Sequence, residues 1–329
     1  MNMGTLLDIR NLYVYYRTTR GYIKAVDGVT FKLADHEIMS IVGESGSGKS
    51  TLAYALMRLH DPSQVYIRGK VIFNGTDLLS LNEEEMEKIR GSLISIVPQD
   101  PNTALNPVYP VGEQIAELFR YKQDLSPKEA KEISIKLMQR VGIPDAEKRY
   151  YDYPHQLSGG MKQRIAISIA IALKPKLIIA DEPTSALDVT VQARILELLL
   201  EVVKEVGSSM LMITHDLGVA AEVSDKICVM YAGKVLEIAQ KDEILRRPLH
   251  PYTRALLNVV PRFHKSEKRL FPIPGSVPNL LSPPPGCRFY PRCPYRSNTC
   301  TKKEPRLIEV LQDHWVACSM WSKLEEVDF

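Results

Sequence analysis

The feature of this sequence that most restricts its fold is a glycine-rich loop between an apolar run and a run with a helical pattern. The apolar run is Ile38–Val42, the loop is Gly43–Thr51, and the helical run is Leu52–Leu59. The loop has the spacing GxxxxGK(S/T). Its glycines permit backbone angles that point successive N–H groups inward at the N-terminus of a helix. The sequence therefore predicts a strand, an anion-binding loop and a helix in direct succession.

The anion that this loop is expected to bind is the triphosphate of a nucleotide. Lys49 is expected to reach the β- and γ-phosphates, and the Ser50 hydroxyl is expected to ligate Mg²⁺. The alternative is a flexible Gly/Ser loop without a ligand, and the strand and helix on either side argue against it. The nucleotide-binding residues predicted in the loop are Gly43, Glu44, Ser45, Gly46, Ser47, Gly48, Lys49, Ser50 and Thr51.

Two consecutive carboxylates follow another apolar run, Leu177–Ala180. If this run is a strand, Asp181 lies at the carboxyl edge of the sheet, where it can hold the Mg²⁺ shell, and Glu182 is free to polarise a water. An apolar strand followed by an acid is a weak signal by itself. In a chain that also contains the loop Gly43–Thr51, it predicts the second half of a nucleotide site.

The first 250 residues alternate between short apolar runs and helical patterns, which predicts an α/β fold with a mostly parallel sheet and helices on both faces. Residues 1–35 are expected instead to form an antiparallel β flap, and residues from about 100 to 172 an inserted helical subdomain. The predicted strands are Ile38–Val42, Leu93–Val97, Leu177–Ala180, Met210–Thr214 and Lys226–Tyr231. The predicted helices include residues 111–121, 127–141, 160–173 and 189–206.

Four shorter motifs resemble those of a known family. Leu157–Met161 (LSGGM) resembles the ABC signature motif, which is usually LSGGQ, and Ser185–Asp188 resembles the D-loop. Gln99 stands where that family has its Q-loop glutamine, and His215 where it has its switch histidine. With the loop and the Asp181–Glu182 pair, all six motifs follow in the family's order. The chain thus resembles an ABC transporter ATP-binding subunit over essentially its whole length, which implies a P-loop ABC-type ATPase core.

The resemblance implies a nucleotide site shared by two subunits in a head-to-tail dimer. Each site combines one chain's loop with the other chain's Ser158, Gly159 and Gly160, whose N–H groups open a helix and form a second anion-binding end. The alternative for these three residues is a plain helix cap. Met161 replaces the usual glutamine, which matters little if that side chain makes no obligatory phosphate contact.

The resemblance also implies the roles of the remaining site residues. Glu182 orients or deprotonates the attacking water, and His215 contacts the γ-phosphate unless it is an ordinary loop histidine. The implied catalytic residues are Glu182, His215, Gln99 and Lys49. The implied Mg²⁺ ligands are Ser50, Gln99 and Asp181. Asp188 of the D-loop is included among the nucleotide-binding residues.

An aromatic residue is expected to stack on the adenine base, and the sequence offers Tyr13, Tyr15, Tyr16 and Tyr22. The position of Tyr16 in the first strand, counted from Asn11, favours this residue for stacking on the adenine. The alternative is that this residue is a tyrosine of the core or the surface.

Composition changes near residue 250 of the 329-residue chain. Residues 251–329 contain 11 of the 22 prolines and 12 basic against 7 acidic residues, and four of the five cysteines lie there. We therefore expect an ABC nucleotide-binding domain over residues 1–250 and a C-terminal extension over residues 251–329.

Charge and hydropathy exclude some classes of function. The net charge of +3 gives no reason to expect nucleic acid as a partner. No apolar run reaches the roughly 18 to 20 residues that a membrane-spanning helix needs, and the N-terminus has no apolar signal region. We expect a cytoplasmic chain, peripheral on the inner face of the cell membrane, whose pore is formed by other proteins.

Four cysteines of the extension have the spacing C-x5-C-x6-C-x17-C: Cys287, Cys293, Cys300 and Cys318. Cytosolic thiols are kept reduced, so disulfides are a poor explanation, and four thiolates suit either Zn²⁺ or a [4Fe–4S] cluster. Structural zinc sites usually pair ligands as C-x2–4-C, so the looser spacing in proline-rich loops favours a cluster in a small irregular metal-binding extension. Resemblance to peptide-importer ATPases implies the same, while zinc and unliganded thiols stay open. Cys228, in an apolar run, is expected to be a small buried core side chain.

Two further segments narrow the resemblance. His250–Leu257 and Gln99–Pro107 resemble segments typical of oligopeptide and dipeptide importer ATPases, although some relatives in that subfamily carry oligosaccharides or nickel. The implied partners are a second ABC ATPase subunit (a related chain or this chain itself), two transmembrane permease subunits and a separate substrate-binding protein. The helical insert that begins at Gln99 is the expected docking face for the permeases.

Three other classes of function compete with a transport ATPase. A non-transport ABC ATPase acting on DNA or ribosomes usually has two ATPase modules, long coiled coils or a strongly basic face, and this sequence has none of these. A simple P-loop kinase has no reason to contain Leu157–Met161. A redox-sensing tail with an attached ATPase is the third alternative.

Overall fold

The computed structural model describes residues 4–185, 187–259 and 273–325. Residues 260–272 and 326–329 of the predicted C-terminal extension lie outside the described residues, as does Ala186 of the predicted D-loop. The chain divides into two compact units. The first, here called the loop unit, comprises Met1–Ser80 and Met212–Phe329, and the second, the helical unit, is Leu81–Leu211.

The described residues form strands and helices in alternation. The strands are β1 (Thr5–Thr18), β2 (Gly21–Ala34), β3 (Ile38–Val42), β4 (Val65–Phe73), β5 (Thr76–Asp77), β6 (Ile94–Val97), β7 (Leu177–Asp181), β8 (Ser209–Thr214), β9 (Lys226–Tyr231), β10 (Lys234–Gln240), β11 (Ile308–Leu311) and β12 (His314–Val316). The α-helices are α1 (Lys49–Leu56), α2 (Glu83–Ile89), α3 (Pro101–Ala104), α4 (Val111–Gln123), α5 (Pro127–Arg140), α6 (Ala146–Arg149), α7 (Gly159–Ile171), α8 (Val189–Val206), α9 (Leu217–Val223), α10 (Lys241–Arg246), α11 (Pro251–Asn258), α12 (Asn298–Lys302) and α13 (Trp321–Glu325). Within the described ranges, no helix is long and apolar enough to cross a membrane.

The antiparallel flap expected near the N-terminus is present in the loop unit. β1 and β2 pair along nearly their full length, from Thr5 opposite Ala34 to Thr18 opposite Gly21. β4 pairs with the other edge of β1, which gives the sheet order β2-β1-β4-β5. The sequence did not predict β4 because its centre, residues 68–70, is Arg-Gly-Lys, which interrupts any apolar run.

The second sheet of the loop unit is only partly parallel. β3 and β9 are parallel neighbours, as the alternation of elements predicts. Beyond β9 the order continues with β10, β12 and β11, and each of these pairs is antiparallel. The expectation of an irregular C-terminal extension was therefore wrong for residues 308–316, which form a hairpin on this sheet. The two strands of the hairpin have four and three residues, too short for a periodic pattern to be recognised.

The helical unit contains the parallel pair β6 and β7, and helices α3 to α7 lie between these strands in the sequence. α4, α5 and α7 occur where the sequence predicts helices, whereas α3 and α6, of four residues each, were not predicted individually. α5 shows why the prediction was possible. The Ser126 hydroxyl caps this helix by accepting the N–H of Glu129, the Glu129 carboxylate accepts the N–H of Ser126, and Pro127 occupies the first turn. This capping box is readable in the sequence.

Residues on both sides of position 250 share one hydrophobic core in the loop unit. Tyr252 and Leu257 of α11, together with Phe289, pack in a cluster with Val229 and Tyr231 of β9. All five side chains are essentially inaccessible to solvent. The compact unit therefore extends across the composition change near residue 250, and the domain boundary predicted there stays a prediction.

Glu237 of β10 ties the C-terminal extension to the sheet. Its buried carboxylate accepts the backbone N–H groups of Leu249 at 2.7 Å and His250 at 3.0 Å. It also lies 2.7 Å from Nε2 of His314 in β12, and because a carboxylate offers no hydrogen, Nε2 is the nitrogen that donates. Burial lowers the pKa of His250 to about 4, so its ring is neutral at neutral pH and Nδ1 accepts the N–H of Tyr252. One carboxylate thus fixes both the start of α11 and the hairpin.

We predict that Glu237→Gln destabilises the chain by about 3 kcal/mol, because the amide group turns an acceptor into a donor facing buried N–H groups. Urea unfolding of the full chain measures the difference. The matched control is Glu243→Gln at an exposed position of α10, where a change within about 0.5 kcal/mol is expected. Equal unfolding midpoints for the two variants would contradict the anchoring role of Glu237.

Candidate functional site

The loop Gly43–Thr51 joins β3 to α1, and backbone packs against it on two sides. A Cβ atom on Gly43 would lie 2.0 Å from the carbonyl oxygen of Met230, and one on Gly48 would lie 2.0 Å from the carbonyl oxygen of Ala25. Gly48 also has a φ of +98°, in the region that favours glycine. The surrounding backbone thus leaves no room for a side chain at Gly43 or Gly48, two glycines of the predicted anion-binding loop.

Lys49 is buried at the N-terminus of α1, and its ammonium group folds back over the loop. Its Nζ donates to the carbonyl oxygens of Gly43 at 2.8 Å and Glu44 at 3.1 Å, and to Oγ of Ser47 at 3.4 Å. The cationic group is therefore held against the loop whose glycine spacing predicts a phosphate site.

Glu44 is bound by two residues of the C-terminal extension. Its backbone N–H donates to the hydroxyl of Tyr252 at 2.9 Å. Its carboxylate receives two hydrogen bonds from Arg292, at 2.6 and 3.0 Å. The sequence predicted Glu44 as one of the nucleotide-binding residues, but both its N–H and its carboxylate are engaged by the extension. Tyr252 and Arg292 were missed, because no local pattern reports a contact across more than 200 residues.

Tyr16 lies beside the last residue of the loop. Its hydroxyl is 3.3 Å from Oγ1 of Thr51, and its ring meets the ring of His60 edge-on at 5.6 Å. Of the other tyrosines considered, Tyr15 donates its hydroxyl hydrogen to Asp27. Tyr16 therefore lies next to the loop, and its stacking on adenine stays a prediction.

In the helical unit, Gln99 and the two acids after β7 form a second group of predicted site residues. Asp181 is fully buried at the end of β7. Glu182 follows with a φ of +43°, an uncommon conformation for a residue that is not glycine. Nε2 of Gln99 donates to the Glu182 carboxylate at 3.3 Å. The structure therefore brings the predicted base and the predicted Q-loop residue together.

The signature-like segment forms the N-terminus of α7, as the sequence predicts. Ser158 caps the helix, and its Oγ accepts the N–H of Met161 at 3.3 Å. Gly159 and Gly160 are the first helical residues, so their N–H groups lie at the positive end of a 13-residue helix. Asp188 caps α8 in the same way, since its carboxylate accepts the N–H of Val191 at 3.0 Å.

His215 follows β8 at an exposed position of the loop unit. The predicted site residues are thus distributed over both units: the loop, Tyr16 and His215 belong to the loop unit, whereas Gln99, Ser158, Gly159, Gly160, Asp181, Glu182 and Asp188 belong to the helical unit.

The four late cysteines line a single small cavity in the loop unit, together with His250 and Tyr290. Burial raises the pKa of the Cys287 thiol to about 11 and that of Cys318 to about 12. Sγ of Cys318 also accepts the N–H of Met320 at 3.3 Å. In the part of the chain that the structure describes, no group of three or more His, Cys, Asp or Glu side chains is arranged as a metal site. The structure thus gathers the cysteines but does not establish the predicted metal-binding extension.

The fifth cysteine stands apart from this cavity. Cys228 lies in β9 and is completely buried, and burial raises the pKa of its thiol. This placement agrees with the prediction that Cys228 is a small core side chain.

Comparisons with known proteins decide the family. The model of the family described as "ABC transporter" matches residues 26–185, and the model described as "Oligopeptide/dipeptide transporter, C-terminal region" matches residues 236–300. A putative peptide import ATP-binding protein of Brucella abortus (strain 2308) is 48% identical over 305 residues, which cover 93% of this chain and 92% of the relative. This chain belongs to the ABC transporter ATP-binding proteins.

Further relatives agree with this assignment. The ABC ATPase is 45% identical over 317 residues to a dipeptide transport ATP-binding protein of Bacillus subtilis (strain 168), covering 96% of this chain and 95% of that protein. Its fold matches an ATP-binding cassette solved as a dimer in a post-hydrolysis state with ADP and Pi. That match has a TM-score of 0.64 at 29% identity and covers 71% of this chain and 98% of the other.

Family membership confirms the predicted α/β fold of a P-loop ABC ATPase and the predicted activity. The chain is an ATPase, and ATP and Mg²⁺ are its expected ligands.

Two glycines of the loop Gly43–Thr51 offer a matched test of how closely the surrounding backbone packs against it. Gly48→Ala of the ABC ATPase should abolish ATP binding, because its Cβ meets the Ala25 carbonyl and the loop must shift. Gly46→Ala should weaken binding only modestly: Gly46 also has a positive φ, +77°, but its Cβ would meet nothing within 4 Å. The strain at that position is on the order of 1 kcal/mol. Calorimetric ATP titration compares the two, and equal affinities would contradict the packing argument.

Proposed function

We propose that this ABC ATPase is the ATP-hydrolysing subunit of a membrane importer for oligopeptides or dipeptides. The observation that carries this proposal is the match of residues 236–300 to the C-terminal region of oligopeptide/dipeptide transporters. Relatives named as peptide import and dipeptide transport ATP-binding proteins, similar over more than nine-tenths of the chain, support it. Oligosaccharides and nickel are the competing cargoes within the same subfamily.

In the proposed reaction, the oxygen of a water forms a bond to the γ-phosphorus of ATP while the bond to the β–γ bridging oxygen breaks, giving ADP and phosphate. Glu182 orients this water and accepts its proton. The hydrogen bond from Gln99 and the left-handed backbone of Glu182 support this role, because both fix the direction of the carboxylate. Lys49 and His215 compensate the negative charge of the γ-phosphate.

The residues proposed to hold Mg²⁺ are Ser50, Gln99 and Asp181. Their hydroxyl, amide and carboxylate oxygens are the hard donors that Mg²⁺ prefers. An ion held by these residues would supply positive charge that neutralises part of the charge of the phosphates.

The nucleotide site is proposed to be completed by a second ATPase subunit. Ser158, Gly159 and Gly160 present N–H groups at the N-terminus of α7, and a helix N-terminus binds anions. In a head-to-tail dimer this end would contact the nucleotide that the partner's loop holds, with Asp188 nearby in the D-loop. Tyr16 is proposed to stack on the adenine, and its contact with Thr51 supports that position.

The remaining proposals concern assembly and location. We place the chain in the cytoplasm, peripheral on the inner face of the cell membrane, in a complex with two transmembrane permease subunits and a separate substrate-binding protein. The second ATPase subunit is a related chain or a second copy of this one. The helical insert that begins at Gln99 is the proposed contact with the permeases.

We predict that Glu182→Gln leaves ATP binding intact and lowers the turnover number at least about 100-fold, since a general base contributes that much or more. In the reconstituted importer, uptake of a labelled dipeptide should fall in parallel. Glu197→Gln at an exposed position of α8 is the matched control. Unchanged hydrolysis by Glu182→Gln would contradict the proposed base, and ATP-driven uptake of an oligosaccharide or nickel in place of the dipeptide would contradict the proposed cargo.

We further propose that Cys287, Cys293, Cys300 and Cys318 hold a [4Fe–4S] cluster with a structural or partner-docking role. The donor set fits such a group, because four thiols line one cavity and a backbone N–H already donates to one of the sulfurs. Zn²⁺ is the alternative ligand of the same four thiols.

The cluster proposal predicts that anaerobically purified protein is brown and contains about four iron and four sulfide per chain. Cys300→Ser should lose iron and colour, whereas Cys228→Ala, which removes the cysteine outside the cavity, should keep both. A colourless protein that contains one equivalent of zinc would contradict the cluster and show that the four thiols hold zinc instead. An ATPase rate that follows the oxidation state of the cluster would contradict a purely structural role.

A further inference from the structure

Arg292 is a buried cation whose surroundings leave it one orientation. It follows a short 3-10 turn, Tyr290–Arg292, and immediately precedes Cys293. Its guanidinium lies 5.7 Å from the ring centre of Tyr231 and 6.0 Å from that of Phe289. Only 5% of the side chain is exposed. The faces of aromatic rings attract a cation, but a buried guanidinium also needs an anion and hydrogen-bond acceptors to replace the water it has lost.

The anion that Arg292 meets is Glu44, the second residue of the loop Gly43–Thr51. The two side chains form a bidentate pair at 2.6 and 3.0 Å, the geometry in which guanidinium and carboxylate bind most strongly. The remaining Arg292 hydrogens are directed to the carbonyl oxygens of Pro274 at 2.8 Å and Ile273 at 3.0 Å and to the hydroxyl oxygen of Tyr231 at 3.3 Å. Carbonyl oxygens of the extension therefore fix the orientation of Arg292, and Arg292 in turn fixes the carboxylate of Glu44.

The peptide groups of Glu44 are fixed as firmly as its side chain. Its N–H donates to Tyr252 at 2.9 Å, and its carbonyl oxygen accepts from Nζ of Lys49 at 3.1 Å and from the N–H of Ser47 at 3.2 Å. A rotation at Glu44 would thus displace the carbonyl on which Lys49 rests. Fixing the carboxylate with Arg292 prevents this rotation.

We propose that Arg292 of the C-terminal extension is a positioning residue of the phosphate loop, which acts through Glu44 to hold Lys49 and the loop backbone in the conformation that binds the triphosphate. The inference rests on the proposed role of the loop as the triphosphate site. It goes beyond that role because it makes ATP affinity depend on a residue of the cysteine-containing extension.

Because the loop is positioned before any bond is broken, the pair should affect ground state and transition state equally, and so affinity more than turnover. Arg292→Gln should weaken ATP binding about tenfold while the turnover number at saturating ATP stays within about twofold. Arg292→Lys should restore only part of the affinity, because an ammonium group cannot form the bidentate pair. Tyr252→Phe, which removes the acceptor of the Glu44 N–H and keeps the ring, should weaken binding in the same direction.

The experiment measures the dissociation constant of ATP by calorimetry and the ATPase kinetics of the full chain, for Arg292→Gln, Glu44→Gln and the double variant. If Arg292 acts through Glu44, the dissociation constant of ATP for the double variant does not exceed the larger of the two values measured for the single variants. A separate full effect of Arg292→Gln in the Glu44→Gln background would overturn the proposal.

Arg254→Gln is the matched control for a loss of folding. Arg254 is another buried arginine of the extension, and it donates to the carbonyl oxygens of Pro248 and Leu324. It should lower the melting temperature without changing ATP affinity. Equal changes in ATP affinity for Arg254→Gln and Arg292→Gln would overturn the positioning role.

Lys49→Ala separates this proposal from the role of the loop itself. If Lys49→Ala abolishes ATP binding and Arg292→Gln leaves the affinity unchanged, only the positioning role is overturned. If Lys49→Ala leaves ATP affinity unchanged, the loop is not the triphosphate site, and the proposed site is overturned with it.

Discussion

Close packing of backbone against backbone around the loop Gly43–Thr51 is the constraint on which the rest of the loop unit depends. Carbonyl oxygens of Ala25 and Met230 occupy the space that side chains at Gly48 and Gly43 would need. The turn between β9 and β10 completes this frame, because the N–H of Gly233 donates to the Ser47 carbonyl and the Gly233 carbonyl accepts from Asp27. The flap, the sheet and the loop are therefore positioned by hydrogen bonds and contacts that tolerate almost no added volume.

Buried charge pairs attach the extension to this frame. Glu44 binds Arg292 through two hydrogen bonds. Asp27 of the flap binds Arg288 and, at 3.3 Å, Lys234. Burial opposes ionisation of Asp27, but the Tyr15 hydroxyl and the two cations outweigh it and lower the pKa of this carboxyl. An isolated buried charge is strongly unfavourable. Each of these charged groups therefore favours the position in which its partner is bound. A proline-rich segment thereby obtains one defined position.

The sequence was sufficient for the local features and insufficient for the distant ones. The loop Gly43–Thr51, the strand before Asp181 and the capped start of α7 follow from glycine spacing, apolar runs and capping residues within ten positions. β4 was missed because charged residues interrupt it, and the hairpin β11–β12 because it is short. The contacts of Glu44 with Tyr252 and Arg292 join residues more than 200 positions apart, and only the folded chain brings such residues together.

Each of the two anchoring arginines is adjacent to a cysteine in the sequence, as Cys287-Arg288 and Arg292-Cys293. This arrangement bears on how the extension can be exchanged between proteins. A graft of residues 251–329 onto another ATPase core would carry Arg288 and Arg292 but not Asp27 and Glu44, the acids that receive them. Such a chimaera would bury unpaired cations beside its phosphate loop unless the recipient supplied acids at corresponding places. The extension and the core must therefore be inherited, or engineered, as a matched set.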